Sequence, residues 1–194
     1  MSIEAFAIST GVVALGEMGD KTQLLALLLA ARWRRPWPIM AGILVATLAN
    51  HGLAGALGVW VARAIDPLWM RGILAASFLA VGLWMLVPDK ADGLETLADT
   101  TSRWGVFGLT VVAFFLAEMG DKTQVATAML AARYDNLWVV TSGTTLGMML
   151  ANVPAVLLGE RVVRWVPMAW VHRVAAAVFV AVGLTVAWGL LPAK

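Results

Sequence analysis

The chain has no cysteine, one tyrosine and two histidines in 194 residues, and only 13% of it is charged. Without cysteine there are no disulfides, no thiolate metal ligands and no thiol nucleophile. No Ser/His/Asp set or pair of histidine ligands falls in the apolar segments, so an enzyme is not expected. The fourteen basic residues outnumber the twelve acidic ones by two, and they lie scattered between apolar segments. Nucleic-acid binding wants a clustered basic face, so no nucleic-acid partner is expected. The opening Met-Ser-Ile-Glu-Ala-Phe has no basic stretch ahead of its apolar run, which argues against a cleaved signal peptide.

What remains is apolar. Hydrophobic residues make up 61% of the chain, and its mean hydropathy is +0.83. A soluble domain carries about 25% charged residues, so this composition is that of a membrane protein with the lipid bilayer as its partner. A membrane span needs about 20 mostly apolar residues. Six segments qualify: roughly 4–31, 38–62, 71–88, 105–132, 138–160 and 170–191. Prolines sit mainly at their borders, with Pro154 the exception, and nine of the ten tryptophans lie near segment ends in the manner of an interfacial belt.

The chain repeats itself at an offset of 101. Glu-Met-Gly-Asp-Lys-Thr-Gln occurs at Glu17–Gln23 and again at Glu118–Gln124. Ala30-Ala31-Arg32 matches Ala131-Ala132-Arg133, Trp37 matches Trp138, Gly42 matches Gly143, and Gly58 matches Gly159. Ala80-Val81-Gly82-Leu83 returns as Ala181-Val182-Gly183-Leu184. The expected fold is therefore an all-α integral membrane protein of six transmembrane helices in two three-helix repeats. Residues 1–88 form the first repeat, 89–104 a polar linker, and 105–194 the second. An odd number of spans per repeat makes the second copy enter from the opposite side, so the repeats are inverted, as in many transporters. The two segments holding the motifs would each be about 42 Å long, against a hydrocarbon core of about 30 Å. They must tilt, bend or break, and Gly19 and Gly120 are the places for it.

Basic residues in short loops orient the chain. Arg32, Arg34, Arg35, Lys90, Arg103, Arg161, Arg164 and Arg173 fall on one side, against Arg63, Arg71, Arg133 and Lys194 on the other. This predicts a cytoplasmic central loop with both termini outside.

Charge inside a bilayer is costly, roughly 2.5–3.5 kcal/mol per group at the centre on insertion scales, and marks function. On a continuous helix Glu17 and Asp20 share a face, with Lys21 beside them, and Glu118, Asp121 and Lys122 repeat the pattern. Facing copies would gather four carboxylates, which suit hard divalent cations such as Ca²⁺ and Mn²⁺. Thr22, Gln23, Thr123 and Gln124 add neutral oxygens, and broken helices would add backbone carbonyls. Four acids against two lysines leave a formal −2, which one divalent cation neutralises. When the cation leaves, protons are the natural replacement, which points to exchange. The plainer alternative is an acid–lysine pair that only locks helices together. Lys21 and Lys122 fit either role, as returning partners of the acids or as fixed counter-ions. Met18 and Met119 fit gap-filling better than ligation. Asn50 and Asn152 match if one residue is inserted in the second half, and either completes the cation shell or bonds a neighbouring helix. His51 has no counterpart and reads as structural, and His172 reads as interfacial.

A doubled Glu-x-Gly-Asp-Lys-Thr in two three-helix halves resembles the cation/proton antiporter family whose eukaryotic members reside in the Golgi. Its bacterial and cyanobacterial relatives include manganese exporters. The resemblance covers essentially the whole chain. It implies transport of Mn²⁺ or Ca²⁺ against H⁺ with no prosthetic group, and it makes Glu17, Asp20, Glu118 and Asp121 the cation ligands. The brief central loop looks bacterial, which implies an inner-membrane location and Mn²⁺ export. A homo-oligomer is compatible with all of this. Competing readings are a six-helix amino-acid or small-solute exporter, a passive cation channel and a structural membrane subunit.

Overall fold

In the computed structural model, residues 2–87, 105–159 and 168–189 are described. The linker 89–104 and its predicted cytoplasmic placement lie outside the described residues. Among the described residues there are eight α-helices. They are α1 (Ser2–Glu17), α2 (Lys21–Trp33), α3 (Pro36–Ala64), α4 (Pro67–Trp84), α5 (Gly105–Glu118), α6 (Lys122–Tyr134), α7 (Leu137–Leu158) and α8 (Met168–Trp188). Four helical stretches are long and apolar enough to cross a membrane: Pro36–Ala64, Pro67–Trp84, Leu137–Leu158 and Ala169–Trp188. Pro36 and Pro67 open their helices, where the missing N–H is not needed. The helix of Pro154 continues through it to Leu158.

The two overlong segments are each split in two, at the expected glycines. Gly19 has φ 82° and Gly120 φ 75°, a left-handed conformation that side chains resist. The shorter helices that follow also end alike. Arg34 (φ 50°) and Asp135 (φ 45°) hold the left-handed position after α2 and α6, again 101 residues apart.

The surface is inverted relative to a water-soluble protein. Leu53, Leu57, Leu83, Leu150 and Leu184 point outward, while Glu17, Glu118, Asn50, His51 and Asn152 are fully buried. Apolar exposure on this scale, with charge inside, belongs to a multi-pass membrane protein. Trp37, Trp60, Trp138 and Trp188 are exposed close to helix ends.

Packing repeats with the halves exchanged. Gly42 on α3 is so close to α5 that a methyl there would stand 2.6 Å from Thr110 Cβ and 3.0 Å from the Phe107 carbonyl. Gly143 on α7 meets Ser9 Cβ (3.0 Å) and the Phe6 carbonyl (2.8 Å) of α1 in the same way. Gly82 lies on Phe179 and Gly183 on Phe78, and those two rings meet each other with centroids 6.3 Å apart. Small residues of this kind let backbones approach where no hydrophobic drive exists between helices. The consequence for the site is direct. The α1–α2 break and the α5–α6 break are held at matched positions in the same interior.

Candidate cation site

The geometry differs from the continuous helix face assumed above. Glu17 and Glu118 are the last residues of α1 and α5, and Asp20 and Asp121 are the N-cap residues of α2 and α6. Each break is closed by the same pair of contacts. The Asp20 N–H donates to the Glu17 carbonyl (3.2 Å) and the Asp121 N–H to the Glu118 carbonyl (3.1 Å). The Gly19 N–H donates to Gln23 Oε1 (2.9 Å) and the Gly120 N–H to Gln124 Oε1 (2.7 Å). The glutamines therefore brace the broken backbone. Placing each Asp at a helix N-terminus sets a carboxylate where the dipole favours it.

The acids come together across the two halves. Glu17, Glu118 and Asp121 each offer an oxygen within 4.8 Å of the others, and all three are buried. Three carboxylate oxygens gathered this closely can converge on one hard divalent cation, which takes oxygen ligands of this kind. The threonine five residues on holds one oxygen of each glutamate. Thr22 Oγ1 donates to Glu17 Oε2 (2.5 Å), and Thr123 Oγ1 to Glu118 Oε2 (3.2 Å). The second oxygen of each, Oε1, is buried with no hydrogen-bond partner among the described residues. An unsatisfied buried carboxylate oxygen is expensive, and two at matched positions are what a ligand would complete. Thr123 also donates to Asp121 Oδ2 through its N–H (3.4 Å) and its hydroxyl (3.3 Å). Asp20 is buried at the N-cap matching Asp121.

Lys21 crosses between the halves to Asp121 Oδ1 at 2.7 Å. Lys122 is buried and donates to the Val87 carbonyl (2.9 Å) just beyond α4. Gln124 Nε2 donates to Asn50 Oδ1, and Asn50 Nδ2 donates to the Phe115 carbonyl (3.3 Å). In the other half Gln23 Nε2 donates to the Ala151 carbonyl (2.9 Å). These contacts follow the ungapped 101 register, in which Asn50 corresponds to Ala151. Asn152 stands one residue further on and donates to the Met148 carbonyl (3.1 Å). The structure thus links Asn50 to the second motif through Gln124 and ties Asn152 to its own helix. Met119 points outward, away from the acids. No residue pattern pointed to the Val87 contact, and the bracing role of Gln23 and Gln124 is readable only once the breaks at Gly19 and Gly120 are known.

A family model described as "Divalent cation/proton antiporter GDT1" matches residues 5–93 and 106–193. A Vibrio cholerae protein described as "Putative manganese exporter" is 49% identical over 190 residues, covering 97% of this chain and 92% of that protein. A GDT1-like protein of Synechocystis is 30% identical over 176 residues, covering 81% of this chain and 84% of its own length. An Arabidopsis thaliana GDT1-like protein is 28% identical over 193 residues. No solved structure matches the chain. With the family model spanning both halves and these relatives covering most of its length, the chain belongs to the GDT1 family of divalent cation/proton antiporters.

Proposed function

We propose that this protein is a secondary active divalent-cation/proton antiporter that exports Mn²⁺ from the cytoplasm, with Ca²⁺ as its alternative cargo. The observation that carries the reading is the convergence of Glu17, Glu118 and Asp121 from both halves, with a bare oxygen on each glutamate. Asp20 is the fourth acid of the site. Hard oxygen ligands suit these two cations, and family membership supports the proton coupling. The relative described as a manganese exporter favours Mn²⁺. One set of carboxylates neutralised by a cation or by protons, in turn, is the physical basis of exchange.

The architecture in this reading is six spans in two inverted repeats, 1–88 and 105–194, with α1–α2 and α5–α6 as the broken spans. Support comes from contacts that recur with the halves exchanged, as Gly42 on Thr110 and Gly143 on Ser9 do. The location is a bacterial inner membrane, with the 89–104 linker cytoplasmic and both termini outside. Lys21 and Lys122 act as counter-ions, Thr22 and Thr123 steady the glutamates, and Gln23, Gln124 and Asn50 hold the breaks in place.

The test is Mn²⁺ efflux from proteoliposomes with protons counted by a trapped pH dye, repeated for Glu17→Gln, Asp20→Asn, Glu118→Gln and Asp121→Asn. Mn²⁺ movement accompanied by counter-movement of protons, and lost in the variants, is expected. Movement indifferent to a pH gradient would leave a channel, and unaltered transport in all four variants would remove the site.

A further inference from the structure

Of ten polar side chains outside the carboxylate cluster with buried atoms lacking a hydrogen-bond partner among the described residues, six share one region. They are Ser9 and Thr10 on α1, Thr47 and His51 on α3, and Thr141 and Thr145 on α7. His51 is 0% exposed, and both of its ring nitrogens are in this state. A helical serine or threonine ordinarily returns its hydroxyl to a carbonyl three or four residues back. Thr110, Thr127 and Thr144 do so here. The six do not.

Their positions line up. Arg63 near the end of α3 bonds Asp135, which joins α6 to α7, so α3 runs back alongside α7 from that level. Gly55 packs on Thr141, and Asn50 is bonded by Gln124 of the second motif. One turn along from the Gly55–Thr141 contact, His51 is level with Thr145. On the other flank, Gly143 packs against Ser9 and Thr10. The strip therefore runs from Thr141 toward the motif level at Thr47, a rise of roughly 10 Å along α7.

The matched strip in the other half is mostly apolar. At the 101 offset Thr10 becomes Val111, Thr47 becomes Met148, Thr141 becomes Met40 and Thr145 becomes Leu44. Ser9 becomes Thr110, whose hydroxyl is satisfied by the Val106 carbonyl, and His51 becomes Asn152, whose amide N–H donates to Met148 while its Oδ1 alone lacks a partner among the described residues.

We infer that this strip is a water-filled half-path joining the carboxylate cluster to the side of the membrane where α6 ends and α7 begins, and that it carries the protons of the exchange. Buried polar groups without protein partners are ordinarily bridged by water, each making about three hydrogen bonds. Hydroxyls, imidazole and water can each give and accept a hydrogen bond, which a proton-conducting file requires. Glu17 ends α1 about two turns beyond Thr10, toward the inner end, and the Arg63–Asp135 pair marks the outer end. The proton role rests on the antiport reading; the hydration does not.

The chain has no native cysteine, so single thiols report cleanly. Thr141→Cys, Thr145→Cys and the matched control Met40→Cys would be made in the full-length protein in liposomes. Silver ion, comparable in size to water, would be applied from each side in turn, with Arg63→Cys marking the near side. After quenching, the surviving thiols would be titrated in denaturant, a readout that needs no transport. Loss of the thiols at 141 and 145 from the Arg63 side only, with the one at 40 preserved, is expected. Intact thiols at 141 and 145, or equal loss at 40, would overturn the half-path. In a second arm, His51→Phe and Thr145→Val should lose protons moved per Mn²⁺ while Mn²⁺ binding by calorimetry stays unchanged. Unchanged coupling in both would overturn the proton role. Wild-type transport without any protons would instead sink the antiport reading and leave the labelling result standing.

Discussion

Replacing Asp121 by Asn removes one negative charge from two relationships at once, and the two can be separated. The first is the ion pair with Lys21, 2.7 Å long, between side chains that are 2% and 20% exposed. At an effective dielectric of about 20, that separation gives a gross attraction of about 6 kcal/mol. Breaking a buried pair by removing one partner costs about 3–5 kcal/mol, and the partial exposure of Lys21 puts this case near the lower end, about 3 kcal/mol. Thermal unfolding in detergent should register it as a clear fall in midpoint. The second relationship is with the cation. Asp121 is one of three carboxylates within reach of a common centre. Loss of even an outer partner of a metal ligand costs 10–100-fold in affinity, so loss of a ligand should cost at least about 100-fold. Adding Lys21→Gln then removes the stranded ammonium and returns the formal balance of the motif groups to −2. Stability should recover in the double variant while Mn²⁺ affinity by calorimetry stays low. Recovered affinity would refute the reasoning, because Asp121 would then be only the partner of Lys21.

Four further outcomes follow from the geometry. Thr22→Val and Thr123→Val each remove a charge-assisted hydrogen bond worth about 1.5–3 kcal/mol, and each should weaken Mn²⁺ binding about tenfold or more in the same titration. Gly58→Ala would put a methyl 2.0 Å from the Ala128 carbonyl and should destabilise by about 3 kcal/mol, whereas Gly72→Ala meets nothing within 4 Å and should be neutral or stabilising by up to about 1 kcal/mol. Gly120→Ala must hold φ at 75°, at a cost of about 1–2 kcal/mol, and should reduce transport without removing any ligand. Because cation-bound carboxylates are deprotonated, the free site holds more protons than the loaded one, and Mn²⁺ affinity should rise with pH. Calorimetry at two pH values in buffers of different ionisation enthalpy counts the protons released; none released would deny competition at the site.

The breaks at Gly19 and Gly120 were legible because they follow from arithmetic: a helical rise fixed per residue, a bilayer of finite thickness, and a repeated glycine near the middle of each long segment. The duplication was legible because identical residues recur at one offset. What the sequence misled on is the local geometry that the break creates. Glu17 and Asp20 looked like neighbours on a helix face, yet they end one helix and cap the next. That change frees Gln23 to accept from the Gly19 N–H, a contact between residues four apart that an intact helix would already satisfy through its backbone. The link from Thr22 to Glu17, five residues apart, likewise exists only because the chain turns between them. Asn50 and Asn152 invited a gapped match, but the glutamine contacts obey the ungapped one. Side-chain identity outweighed register in the sequence comparison, while in the fold the backbone carbonyl of Ala151 serves where a side-chain amide serves at Asn50.

Two halves related by exchange would treat the two sides of a membrane alike if they were identical. Vectorial exchange therefore has to come from the positions where they differ. The glutamates and their threonines do not differ: Thr22 holds Glu17 as Thr123 holds Glu118, and each glutamate keeps one bare oxygen, whereas Lys21 pairs with Asp121 and Lys122 turns to the Val87 carbonyl. The differences gather next to the site, in α3 and α7, where Asn50 faces the second motif and Ala151 the first, and where Thr145 has Leu44 as its counterpart. Symmetry in the two glutamates gives the cation one site reachable through either half, and asymmetry in the lining gives protons and cation different surroundings on the two sides. In the orientation proposed above, the polar strip beside Thr141 opens to the outside, so protons enter from the side to which Mn²⁺ leaves.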